Sequence, residues 1–219
     1  MIPLRDVIPS RSTPIVTVTL IVLNAVAWFY EISMPDRVLY EFLRTYGVVP
    51  AQFEPTTVVS SMFLHGSWMH VIGNMWYLWI FGDNVEDRMG HGRFIVFYLL
   101  CGIGAAIGHV FADPSSALPT VGASGAIAGV MGAYFVLYPQ SRVLTLVPLI
   151  IFWEIIELPA LLLLGFWFLM QLLSAGAGAI AATADTGGIA FVAHVAGFAL
   201  GAGGVYLFKK RQAPVEWMG

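Results

Sequence analysis

Charge is scarce in this chain. Acidic and basic residues make up 11% of its 219 positions against 58% hydrophobic ones, and the mean hydropathy is +0.81. A soluble globule keeps about a quarter of its residues charged. So little polar material cannot cover a water-facing surface, and a multi-span membrane protein is expected. A basic surplus is missing too: the net charge is −3 and the pI near 5.9, which excludes the electrostatic footprint of a nucleic-acid binder. Cysteine is nearly absent. The single Cys101 sits in an apolar run, rules out an intrachain disulfide and is expected as a small buried side chain. No small-residue cleavage site follows the first apolar run. Residues 1–14, with Arg5, Asp6, Arg11 and three prolines, are therefore expected as a short cytoplasmic lead rather than a signal peptide. His-Glu-x-x-His is absent, and no intramembrane carboxylate stands near His65, His70 or His194. A metal site remains the rival reading of those histidines, and neither metal nor cofactor is expected.

What the sequence has in abundance is long apolar runs, enough for about six helices of roughly 20 residues each. They fall at 15–32, 68–81, 94–111, 124–138, 158–174 and 189–208, giving a membrane domain over 15–208 and a short cytoplasmic tail over 209–219. Residues 33–67 mix Asp36, Arg37, Glu41 and Arg44 with aromatic and aliphatic residues. They read as an interfacial loop with short amphipathic helices. Residues 82–93 read as a polar hinge, 118–124 as a segment re-entering the membrane, and 143–157 as an interfacial or re-entrant piece. Pro159 is placed in the first turn of the fifth span, and 176–188 is read as a small-residue loop containing Asp185. Asn24 is expected to hydrogen-bond between helices. His91 and His109 are expected to be structural. Trp76, Trp79, Trp153 and Trp167 are assigned to lipid-facing or interface positions.

With the N-terminus inside and six spans, eight basic residues (Arg5, Arg11, Arg88, Arg93, Arg142, Lys209, Lys210, Arg211) lie inside and two (Arg37, Arg44) outside. That asymmetry orients the chain, with both termini cytoplasmic and the cell membrane as the expected location. It also puts the starts of spans two, four and six on the outer side, so that His70, Ser124 and His194 share one shallow depth.

Ser124 opens a small-residue stripe, Gly125, Gly129 and Gly132, and His194, Gly197 and Gly201 stand at i, i+3 and i+7 on another helix. The stripes alone require nothing beyond close packing. Close packing would, however, bring an imidazole to a hydroxyl that needs a base to become a nucleophile. No third carboxylate is evident beside His194, so the expectation is a Ser124–His194 dyad. His70 and Asn74, four residues apart on one helix face, would donate to an oxyanion along with backbone N–H groups near Ser124.

The motifs His65-x4-His70-x3-Asn74, Gly122-x-Ser124-Gly125 and Ala193-His194-x2-Gly197-x3-Gly201, in this order on these spans, resemble the rhomboid intramembrane serine proteases. The likeness extends through the interfacial loop, the stretch from Gly82 and the Glu157-Leu158-Pro159 stretch, and so covers nearly the whole chain. It implies an all-α, six-helix membrane bundle with an interfacial loop between helices 1 and 2 and a water-filled cavity open to the outer side. It also implies Ser124 as nucleophile, His194 as base, and an oxyanion site of His70, Asn74 and the backbone near Gly122. Single-span membrane proteins would be the substrates, admitted laterally between spans two and five, with 176–188 as a mobile cap. The alternative within the resemblance is an inactive member that binds transmembrane helices. Some members carry an aromatic ring four residues after the serine, stacked on the histidine, where this chain has Ala128. His194 would then be more loosely oriented or held by another ring.

Overall fold

The computed structural model describes residues 1–149, 152–181 and 188–210. The chain is mostly helical: α1 (Ile15–Glu31), α2 (Asp36–Tyr46), α3 (Thr57–Ser60), α4 (Trp68–Met89), α5 (His91–Ala112), α6 (Ser124–Leu137), α7 (Ala160–Ala181) and α8 (Gly188–Phe208). Among the described residues, three helices are long and apolar enough to cross a membrane, namely α5, α7 and α8; α1 and α6 are shorter apolar helices.

The expectation of an all-α chain fails at one place. Ile2–Asp6, Arg142–Leu149 and Phe152–Pro159 are strands, β1, β2 and β3, joined in that order as an antiparallel sheet. Part of the lead over 1–14 is thus a strand, and most of the piece expected over 143–157 is a pair of antiparallel strands. Pro3 stands opposite Thr145, and Arg142 opposite Pro159. The cause is composition: 143–158 is rich in Val, Ile, Thr and aromatic residues, which favour extended backbone. Pro148 is tolerated because β1 pairs only as far as Leu146, leaving β2 an outer edge there. Pro159 ends β3, one residue before α7, rather than lying in a helical turn.

The polar hinge expected over 82–93 is helical except at Gly90, whose φ of 80° makes the turn between α4 and α5. Its acidic residues instead bind the chain leading into α1. Glu86 accepts from the N–H groups of Val16 (2.9 Å) and Thr17 (2.8 Å) and lies 2.5 Å from His91 Nδ1. Asp87 accepts from the N–H groups of Arg11 and Ser12, and Asp83 from the Ser10 hydroxyl. A carboxylate on the first turn of a helix satisfies N–H groups that have no carbonyl of their own. Further back, Trp76 Nε1 donates to Pro3 O at 2.6 Å, so the N-terminal segment lies along α4. Asp6, held by the Tyr134 hydroxyl at 2.7 Å, has its carboxyl pushed up to about 6 by burial.

Residues 33–67 form α2, α3 and two 3-10 turns, and α2 is amphipathic. They clamp the chain before α6: Val48 and Thr120 exchange backbone hydrogen bonds, and His109 Nε2 lies 2.6 Å from the Thr120 hydroxyl. Asn24 does not bond between helices. Its amide donates to Leu20 O in its own helix.

The centre of the fold is the α6–α8 seam. A Cβ on Gly201 would stand 2.5 Å from Gly129 Cα, and one on Gly197 3.0 Å from the Gly125 carbonyl carbon. Backbone meets backbone here, because in lipid helices associate through close van der Waals contact rather than through hydrophobic burial. Residues 182–187, with Asp185, lie outside the described residues, as does 211–219 with Arg211. Residues 176–181, expected to begin a loop, are the last turns of α7.

Candidate active site

The seam places Ser124, the first residue of α6, beside His194 near the start of α8. Nε2 of His194 lies 2.8 Å from Ser124 Oγ. On the far side of the ring, Nδ1 lies 2.8 Å from Gln171 Oε1 of α7. A neutral imidazole carries one N–H. With that proton on Nδ1, donated to the Gln171 carbonyl oxygen, Nε2 presents its lone pair to the serine hydroxyl.

Across the site, Ser67 opens α4, its hydroxyl accepting from the His70 N–H at 3.2 Å. Four residues apart, His70 and Asn74 line a cavity of about 250 Å³ together with Ser124 and His194. Its walls come from α4 (Met69, Gly73, Tyr77), α6 (Ile127, Met131) and α7 (Trp167). The Asn74 amide donates to His65 Nε2 at 2.9 Å, and the His65 ring meets His70 edge-on at 5.0 Å between centroids. Burial, with His70 adding to it, lowers His65 to about 4, so it stays neutral and can accept that bond. His65 is thus a support for the pair rather than a member of it.

Gly122 enters differently from expectation. Its N–H donates to Ser61 O at 2.9 Å and is already engaged. What Gly122 supplies is space: its φ is 128°, and a Cβ there would stand 2.6 Å from His70 Nε2. At the start of α6 the first N–H groups, beginning with Ser124, by position lack an intrahelical partner.

Gln171 and Glu31 were not singled out by sequence reasoning, and Trp167 was assigned only to a lipid-facing or interface position. Gln171 is the one amide side chain in its span, which was the available signal. Trp167 does not face lipid alone, since its ring lies 5.9 Å from that of His194 at 36°. Glu31 is buried at the end of α1 and accepts from the His65 N–H at 3.0 Å, fixing the turn before α4.

Comparison with known proteins follows the same lines. The family model for the Rhomboid domain matches residues 52–211. Rhomboid-like protein 11, chloroplastic, of Arabidopsis thaliana is 28% identical over 202 residues, covering 85% of this chain and 66% of that protein. Rhomboid protein 1, mitochondrial, of Saccharomyces cerevisiae is 27% identical over 114 residues, 49% of this chain and 33% of that protein. Rhomboid protease GluP of Bacillus subtilis is 36% identical over 92 residues, 42% and 18% respectively. The chain thus spans between about a fifth and two thirds of the length of these relatives. With the domain matched across most of its helices, this membrane protein belongs to the rhomboid family.

Proposed function

We propose that the chain is an intramembrane serine endopeptidase acting on membrane proteins that cross the bilayer once. Its six spans are α1, α4, α5, α6, α7 and α8, with residues 1–14 and 209–210 on the cytoplasmic side of the cell membrane. The observation that carries the reading is the 2.8 Å contact of His194 Nε2 with Ser124 Oγ inside a cavity walled by α4 and α7. A substrate segment admitted between those two helices meets the hydroxyl first.

The chemistry follows from the geometry. Ser124 Oγ attacks the scissile carbonyl carbon while its proton passes to Nε2. The displaced electron pair settles on the carbonyl oxygen, where His70, Asn74 and the Ser124 N–H donate to it. Collapse breaks the C–N bond, and the imidazolium hands its proton to the leaving amine. Water then repeats the sequence on the Ser124 ester, with His194 again as base, and restores the hydroxyl. A relative named a protease, GluP of Bacillus subtilis, supports this reading.

The test is cleavage of a tagged single-span protein by purified protein in lipid vesicles, beside Ser124→Ala and His194→Ala. Wild type should cut, and both variants should lose at least about 10³-fold in kcat. If wild type cuts nothing, the protease reading fails and helix binding without cleavage takes its place; if the variants cut as fast, Ser124 and His194 are not the catalytic pair and the reading fails as well.

A further inference from the structure

We infer that Gln171 and Trp167 of α7 are positioning residues for His194, holding the imidazole in the one tautomer that can take a proton from Ser124. The inference rests on the Ser124–His194 chemistry proposed above. A ring with its proton on Nε2 would donate to the serine hydroxyl and could not act as base. An acceptor at Nδ1 selects the useful form, and the Gln171 carbonyl oxygen stands there at 2.8 Å. The same oxygen steadies the imidazolium once the proton has moved.

Trp167 lies one turn earlier on the same face of α7, at i and i+4. Its ring covers one side of the imidazole at 5.9 Å, while Phe191 meets it edge-on at 6.5 Å and 82°. Ring rotation is thereby limited from two directions. The serine helix cannot supply such a ring. Ala128 is wholly buried, and its Cβ lies 3.4 Å from where a side chain on Gly197 would begin. The α6–α8 seam is too tight for an aromatic residue, and the orienting groups come from α7 instead. That helix also walls the cavity opposite α4, so the wall a substrate passes is the wall that holds the base.

The experiment pairs cleavage kinetics with the ¹⁵N NMR signature of the His194 tautomer in the full-length protein reconstituted in lipid. Gln171→Leu, which keeps bulk and removes the acceptor, should lose about 10-fold in kcat with KM unchanged and shift the spectrum away from the Nδ1–H form. Gln171→Glu, whose carboxylate can only accept, should recover both the tautomer and most of the rate. Trp167→Ala should lower kcat, and Trp167→Phe should restore it. Wild-type kcat and an unchanged tautomer in Gln171→Leu would overturn the inference while leaving the protease reading intact. If wild type cuts nothing yet Gln171→Leu still loses the Nδ1–H form, the positioning role stands and the protease reading falls.

Discussion

Gly201→Ala tests whether backbone contact between α6 and α8 sets the distance from base to nucleophile. The added methyl would stand 2.5 Å from both Gly129 Cα and its carbonyl carbon. Non-bonded carbons settle at about 3.5 to 4.0 Å, so the helices must separate locally by roughly 1 Å. His194 lies seven residues earlier on the same face of α8, two turns away. Carried that far, the shift would stretch the 2.8 Å contact with Ser124 to nearly 4 Å, outside hydrogen-bond range. Misplacement on this scale costs about 10²-fold in rate, with overpacking removing a further 1 to 3 kcal/mol or so of stability. The assay is kcat/KM for a tagged single-span substrate in vesicles, with a melting curve for each variant. Gly203→Ala is the control on the same helix, because nothing lies within 4 Å of a Cβ there. If Gly201→Ala cleaves at the wild-type rate, or if Gly203→Ala is equally damaged, the argument that the seam fixes catalytic geometry is wrong.

Other outcomes follow from the polar anchors. Glu86→Gln should lower stability by about 1.5 to 3 kcal/mol, since a charged acceptor for Val16 and Thr17 is lost; thermal denaturation in detergent, compared with Glu154→Gln on the exposed strand β3, checks it. Burial raises the Asp6 carboxyl to about 6 from its ordinary 3.8, so it adds stability while protonated and loses it as pH rises from about 4 to 6. Protection of the β1 amides, taken relative to their intrinsic pH-dependent exchange rate, should fall through that window in wild type and not in Asp6→Asn. Trp76→Phe removes one donor to Pro3 O and should cost about 1 kcal/mol, read as faster exchange over residues 2–6.

Much of the site could be read from the residues, because glycine stripes have one geometric use in lipid and the spacing of His194, Gly197 and Gly201 states it. The amphipathic character of 33–67 was equally plain. The sheet was not. A run as nearly uniform in its apolar character as 143–153 has no period to distinguish strand from re-entrant helix, and β1 finds its partner far away in sequence. Gln171 escaped, and Trp167 was assigned to the lipid or interface, for a related reason: α7 is apolar on nearly all sides, and a single amide is the one mark of the face that turns inward. The acidic residues of 82–87 looked like a water-facing hinge. They serve as caps for another helix, a pairing across some 70 residues that composition does not reveal.

The pairing of Pro3 with Thr145 also imposes an order on assembly. At about 5 to 20 residues per second of synthesis, the first strand waits on the order of ten seconds before its partner exists. Before then α4 is already made, and its Trp76 offers Pro3 a donor while its acidic side chains bind residues 10–12. The last strands to emerge therefore close over the first, so completion of the sheet is a late event that ties the beginning of the chain to the helix walling the cavity.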